Sequence, residues 1–238
     1  LIANKYKNTK YSKNQDWNSR VFALNHLSFN ILSSLKVWQA MDNKRIQTVN
    51  SISIKCGKDI DRNKLEFSSY EACVNNLAWI VENDNLISAL DHAIQFNSAI
   101  SLIYDTPKKM IDNVTNKEVI FENHRSIKCF LVIGADGKNS WVRSKSGISL
   151  DYKSYSQTAI VANFDVENAH HNEAKQWFLE QEGILALLPL PSNKVSLVWS
   201  LQNEKAKKIL INDINALEKK LYLFAGNELG KFSLVSNS

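Results

Sequence analysis

One stretch, IKCFLVIGADGKNSWVR from Ile127 to Arg143, constrains the fold more than any other. Phe130 to Ile133 form a β-branched and aromatic run without alternation, the pattern of a strand buried on both faces of a parallel sheet. Gly134-Ala135-Asp136-Gly137 then lets the backbone turn and approach another group closely. Asn139 or Ser140 can cap a following helix whose first N–H groups stay free. Such a junction is an anion site: the Asp136 carboxylate can accept from ribose hydroxyls, while the helix start and Arg143 favour phosphate. Asp136-Gly137 is equally the dipeptide of a type I′ hairpin turn, and spacing alone leaves both readings open.

The rest of the chain is compatible with a protein of one large or two interleaved domains. Its 238 residues are 44% hydrophobic, enough to fill a core. The net charge of +5 is scattered. The longest basic cluster, Lys205 to Lys208, falls on a predicted helix, where a solvated face or an attraction to anionic lipid both explain it; no motif supports nucleic-acid binding. Cys56, Cys73 and Cys129 lack metal spacing and point to a reducing compartment rather than a disulfide framework. No signal peptide is visible, and no apolar run approaches the length of a membrane span. The first residue is Leu1 rather than Met, and Leu1-Ile2-Ala3 open as though inside a strand, so a fragment of a longer protein is expected.

In order, Leu1–Ala3 predict a strand end, followed by a polar loop through Asp16. Leu27, Ile31, Leu35 and Trp38 predict one buried face of a helix capped by Asn25. Arg20 precedes that helix as either a surface arginine or a phosphate ligand. Ser51–Lys55 and Lys64–Phe67 flank Gly57-Lys58-Asp59 as a hairpin. Leu77–Val81 lead into Asn83 and a helix from about Asn85 to Phe96. Strands follow at Ile100–Tyr104, Met110–Val114 and Glu118–Phe121. After Arg143 the pattern becomes a β meander, Thr158–Asp165, Trp177–Glu180, Leu185–Leu190 and Lys194–Leu201, closed by a helix from about Glu204 to Phe224. The inserted hairpin and the strand-rich tail together suggest one sheet domain built from two pieces beside an α/β domain.

Several constellations fail. No G-x-G-x-x-G or Walker loop is present, and Gly226 to Gly230 lacks the Lys-Ser/Thr of a phosphate loop. His170-His171 with Glu173 has no third metal ligand at a useful spacing. No G-x-S-x-G elbow supports a hydrolase.

Taken together, four motifs in order resemble the class A flavin monooxygenases, and among them the aromatic-ring hydroxylases of ubiquinone biosynthesis. WNSRVFALN with Leu35-Lys36-Val37-Trp38 is similar to the family's Asp-x-Arg-x-x-Ala-Leu helix and Leu-Gly-x-Trp ending. LAWIVENDNLISAL resembles its Val-Glu-Asn helix start, IGADGKNSWVR its Asp-Gly motif, and EGILALLPLPSNKVSLVWS the strand pair over the substrate cavity. The resemblance implies an α/β fold with α+β parts, of the p-hydroxybenzoate hydroxylase type. It comprises an incomplete three-layer FAD/NAD(P)-binding domain interleaved with a mixed or antiparallel β-sheet substrate domain. Residues 1–49 and 78–148 would belong to the first domain, 50–77 and 149–238 to the second.

The implied activity is hydroxylation of a polyprenylated phenol ring with FAD, NAD(P)H and O₂. Arg20 would touch the FAD pyrophosphate, Asn83 the ribityl or phosphate region, and Gly134, Asp136, Gly137 and Arg143 the FAD and the passing nicotinamide nucleotide. Leu187, Pro189 and Trp199 would line the substrate side, their apolar character suiting a prenylated ring better than a small carboxylated one; core packing explains them as well. No catalytic triad is needed, because the cofactor carries the chemistry. A peripheral location at the cytoplasmic face of the inner membrane, other ubiquinone-biosynthesis proteins as partners and homo-oligomerisation are further implications.

The departures define the alternatives. The family's N-terminal glycine-rich turn, its acidic ribose residue (Ala3 stands there) and its later Gly-Asp motif are missing. Asp84 replaces a basic or amide residue, and Lys36 a Gly. An internal fragment, inactive alone, of an intact hydroxylase is therefore expected; a remnant or scaffold that keeps the fold, or a flavin hydroxylase of a non-prenylated aromatic, stand as alternatives.

Overall fold

The computed structural model describes residues 1–3, 17–56, 63–211 and 214–235, the side chains of 210–215 excepted. The predicted Gly57-Lys58-Asp59 turn, most of the early polar loop, and Leu210 and Ile214 of the final apolar stripe lie outside that description. The chain begins with β1 (Ile2–Ala3), β2 (Val21–Leu24), α1 (His26–Ser34), α2 (Val37–Ala40), β3 (Ile46–Val49), β4 (Ser51–Cys56) and β5 (Lys64–Ser68). It continues with β6 (Ala78–Glu82), α3 (Asn83–Gln95), β7 (Ile103–Tyr104), β8 (Pro107–Asp112), β9 (Lys117–Phe121), β10 (Ser126–Cys129) and α4 (Trp141–Lys145). It ends with β11 (Gln157–Val166), β12 (Glu173–Leu179), β13 (Gly183–Leu190), β14 (Lys194–Gln202), α5 (Asn203–Ile211), α6 (Ile214–Leu229) and β15 (Phe232–Leu234). This is the mixed α/β class expected. Two compact units are present: Leu1–Thr9 with Asn97–Ser154, and Lys10–Phe96 with Tyr155–Ser238.

In the first unit β1 pairs with β7 in parallel, so Leu1–Ala3 do belong to a strand. β8, β9 and β10 form an antiparallel sheet. The expectation of a doubly buried strand at Phe130–Ile133 is overturned. Pairing of β10 ends at Cys129 opposite Lys117, the first residue of β9, so the next residues have no ladder among the described strands. Phe130 is 93% exposed, and Leu131 and Ile133 are exposed as well. A run without alternation is buried on both faces only if strands flank it on both sides, a condition its own composition cannot supply.

In the second unit seven strands form one sheet in the order β15-β11-β14-β13-β12-β4-β5. The hairpin β4–β5 thus joins the strands of the tail, with β4 parallel to β12 and the other pairs antiparallel. Alternate residues of each strand face opposite sides. On one side Phe164, Trp177, Leu185, Leu197 and Trp199 meet Leu221, Ala225 and Leu229 of α6 in the main core. On the other side Ala174 and Leu190 meet Val49 and Ile80 of a small antiparallel sheet, β2-β6-β3.

Asn25 caps α1 as expected, accepting from the Ser28 N–H at 2.9 Å. The face expected to be buried is not: Leu27, Ile31 and Leu35 are exposed. Lys36 adopts a left-handed φ of 61° and breaks the helix before Trp38. Phe29 instead stacks on Trp79 and meets Trp38 edge-on, with centroid separations of 4.6 and 4.7 Å. Three aromatic rings bury more apolar area than the aliphatic stripe, and they decide which face turns inward.

Candidate functional site

Arg20 and Asn83 are brought together in the second unit, where β2 and β6 run side by side. The Asn83 N–H donates to the Arg20 carbonyl at 3.0 Å. Asn18, two residues upstream of Arg20, organises the corner. Its N–H donates to Glu82 Oε1 at 2.7 Å and its side-chain amide to Asp84 Oδ2 at 2.8 Å. Its Oδ1 accepts from the Arg20 N–H at 2.7 Å and its carbonyl from Asn163 Nδ2 at 2.9 Å. Every polar group of Asn18 is therefore engaged, which fixes the backbone on which Arg20 sits.

Beneath it lies a buried ion pair. Arg45 Nη2 donates to Glu82 Oε1 at 2.8 Å and its Nε to Glu82 Oε2, a two-pronged contact. The Arg45 guanidinium stacks on Trp17, 4.3 Å from the ring centre. The two arginines differ in availability. Arg45 is taken by Glu82, whereas Arg20 is exposed, lies 5.3 Å from the Phe22 ring centre and has no carboxylate partner among the described residues. A free, backbone-fixed guanidinium suits a phosphate. Asn18, Glu82 and Arg45 were not anticipated from sequence; the signal for Glu82 was an acidic residue closing an apolar strand, AWIVE.

The Gly134–Arg143 segment lies in the first unit. Asp136 does not stand free. Its carboxylate accepts from Ser140 Oγ, from the Trp141 N–H at 2.6 Å and from the Val142 N–H at 3.2 Å. The Ser140 hydroxyl, followed by these backbone groups, holds the Asp136 pKa below the ordinary carboxylate value. Ser140 is the helix cap, accepting from the Arg143 N–H at 3.0 Å. The free N–H groups expected at this helix start are thus taken by Asp136 and Ser140, and α4 spans only five residues. The hairpin reading fails too, because no strand follows the turn. Gly134 packs tightly: a Cβ there would stand 3.1 Å from Val142 Cβ. Gly137 has a φ of +81°, which favours glycine. Arg143 donates to the Lys138 carbonyl at 3.0 Å and braces the loop.

The sheet residues expected to line a substrate fall on the helix-covered side. Leu187 is 1% exposed and Trp199 0%, both in the main core, with Trp199 edge-on to Phe224 of α6. Pro189 is buried and shares their parity on β13. Their neighbours one residue away, Ala186, Leu188 and Val198, face the opposite side, because a shift of one residue reverses the face of a strand.

Among the described residues no cluster of three or more His, Cys, Asp or Glu could hold a metal. His170 is a core histidine instead. Its Nε2 bonds the Leu190 carbonyl at 2.8 Å and its Nδ1 accepts from the Asn172 N–H at 3.1 Å.

Comparison with known proteins follows this geometry. The ubiquinone biosynthesis monooxygenase COQ6 of Danio rerio is 30% identical over 210 residues, covering 84% of this chain and 43% of the relative. The ubiquinone hydroxylase UbiL of Rhodospirillum rubrum is 35% identical over 106 residues, covering 44% of this chain and 24% of the relative. The chain spans less than half the length of the curated relatives it matches. Among solved structures, PqsL of P. aeruginosa in complex with 2-aminobenzoylacetate superposes with a TM-score of 0.72 at 14% identity, over 93% of this chain and 65% of that one. HpxO of Klebsiella pneumoniae, complexed with FAD and uric acid, superposes with a TM-score of 0.59 at 11% identity, over 76% and 47%. These likenesses establish the fold, and the profile of the FAD binding domain family matches residues 15–216, most of the chain. With strands, motifs and sequence profile in agreement, the chain belongs to the FAD binding domain family.

Proposed function

We propose that the chain forms part of an FAD-dependent monooxygenase that hydroxylates the ring of a polyprenylated phenol in ubiquinone biosynthesis, with NAD(P)H and O₂ as co-substrates. The family match carries the cofactor, and the names of the relatives carry the substrate class. The observation on this chain that supports it most directly is Arg20, an exposed guanidinium free of acidic partners on a backbone fixed by Asn18 and Asn83.

In this reading Arg20 binds the FAD pyrophosphate and Asn83 lies near the ribityl chain. Gly134, Asp136, Gly137 and Arg143 serve the flavin and the nicotinamide nucleotide from the first unit. Asp136 retains acceptor capacity for a ribose hydroxyl beyond the three hydrogen bonds it already accepts. Bound FAD would supply the reduction of O₂ and the transfer of one oxygen atom to the ring. The protein's part is to bind, orient and exclude water. The substrate side moves by one residue from Leu187 and Trp199 to Ala186, Leu188 and Val198, apolar groups on the face not covered by helices. Residues 1–49 and 78–148 are assigned to the FAD-binding domain, and 50–77 and 149–238 to the substrate domain. A prenylated substrate resides in a bilayer, so a peripheral protein at the cytoplasmic face of the inner membrane, assembling with itself or with pathway partners, fits this chemistry. No helix among the described residues is long and apolar enough to cross a membrane.

The test is FAD titration of the native protein and of Arg20→Ala. Loss of a charge-assisted contact weakens binding about 10- to 100-fold; unchanged affinity removes Arg20 from the site.

A further inference from the structure

The seven-stranded sheet leaves half of one face bare. At one end of that face Ala174 and Leu190 are covered by the small sheet. At the other end the side chains are apolar and uncovered. Register places Leu65 opposite Ile54, Cys56 beside Phe178, and Phe178 opposite Ile184, so all five share the face. Leu65 is 54% exposed and Phe178 42%, an arrangement that marks a binding surface rather than scattered exposure. Two cavities of about 360 and 660 Å³ open here, and both are lined by Cys56 and Phe178, so they form one groove. Its charged groups, Lys64 and Glu180, each border only one of the two cavities.

The groove also leads back to the corner that holds Arg20. Asn163, which donates to the Asn18 carbonyl, stands opposite Ser196 on the same face, and Ser196 stands opposite Leu188. From Ser196 the face runs over Val198 and Ala186 to Ile184, Phe178 and Ile54. That path crosses three strand spacings of about 4.8 Å and advances four residues of about 3.3 Å, a span of about 20 Å.

We propose that this bare face seats the hydrocarbon tail of the substrate, with the ring at the Ser196 and Val198 end and the isoprenoid chain running outward to Phe178, Ile54 and Leu65. The inference rests on the prenylated-phenol reading given above. A linear apolar chain is the occupant because the groove is long, narrow and lined by hydrocarbon, and because one of its ends adjoins the backbone that fixes Arg20. A compact polar substrate would leave the far cavities empty.

Cys56 supplies a probe in place, since it lines both cavities, and Cys73, exposed on a turn outside them, supplies an internal reference. Maleimide labelling of both thiols is followed in the native protein without ligand, with phenol, and with a phenol bearing a three-unit isoprenoid chain. The tailed phenol is expected to slow labelling of Cys56 about tenfold, phenol to leave it unchanged, and neither to affect Cys73. Phe178→Asp, at an exposed position, is expected to raise KM for the tailed phenol about tenfold without altering KM for phenol. Equal labelling of Cys56 in all three samples, in a protein that binds FAD and turns over the tailed phenol, overturns the tail path and leaves the hydroxylase reading standing. A protein that binds no FAD overturns the hydroxylase reading itself. Protection of Cys56 without ligand that vanishes on dilution assigns the face to a second copy of the chain and also overturns the proposal.

Discussion

Replacing Arg45 by Met separates the account of the buried corner from a purely decorative one. The side chains of Arg45 and Glu82 are only 7% and 1% exposed, and their contact is two-pronged. Removing one partner of such a pair leaves a buried charge uncompensated and costs about 3–5 kcal/mol, against about 0–1 for an exposed pair. In Arg45→Met the Glu82 carboxylate keeps only the Asn18 N–H among the partners described above, and the stacking on Trp17 is lost. For a domain of this size each kcal/mol lowers Tm by about 2–4 °C, so the variant should melt about 6–20 °C lower. Melting followed by tryptophan fluorescence reads the change, with Trp17 as the local reporter. Arg45→Met/Glu82→Leu should recover part of the loss, because the orphaned charge is gone. A single variant that loses less than about 1 kcal/mol, or a double variant worse than the sum of its parts, refutes the reasoning.

Other consequences are more local. Leu187→Ala should cost about 2–5 kcal/mol in urea denaturation while Leu65→Ala costs under about 1, because only the first opens a cavity in the core. Glu228 titrates at about 2 despite burial, which pushes it up, because Lys175 and Lys55 both donate to it. Its contribution is therefore present above its unfolded value of 4.5 and lost as pH falls toward 2, and Glu228→Gln should flatten the acid limb of a stability profile. Burial lowers the pKa of His170, with His171 adding to the effect, so its contribution holds above about pH 6.5 and fades as pH falls through the depressed value. His170→Gln should abolish that slope between pH 7 and 5. Gly183→Ala should disrupt the turn between β12 and β13: φ there is +78° and a Cβ would meet the Ser200 carbonyl oxygen at 2.0 Å.

Much of this architecture was legible in the sequence where local rules and tertiary context agree. The alternating strands of the tail, the Asn25 and Ser140 caps, and the joining of the β4–β5 hairpin to the tail's sheet follow from period and capping chemistry. What failed did so where a neighbour decides. Phe130–Ile133 carried the composition of a buried strand, but burial needs partners that its own residues do not encode. Leu27, Ile31 and Leu35 held a helical period, yet Phe29, Trp38 and Trp79 claimed the inward face. Leu187 and Trp199 lie on the expected strands but on the opposite side, since an all-apolar strand such as GILALLPL does not reveal which of its faces a helix covers. Asn18 and Glu82 drew no notice because their value comes from partners far away along the chain, 64 to 145 residues distant.

The central claim is that this chain holds a flavin, and equilibrium titration of FAD against the native protein, read by quenching of flavin fluorescence, tests it most directly. Saturable quenching that weakens about 10- to 100-fold in Arg20→Ala is the result expected. Fluorescence that stays unquenched over the native protein, folded by circular dichroism, would contradict it.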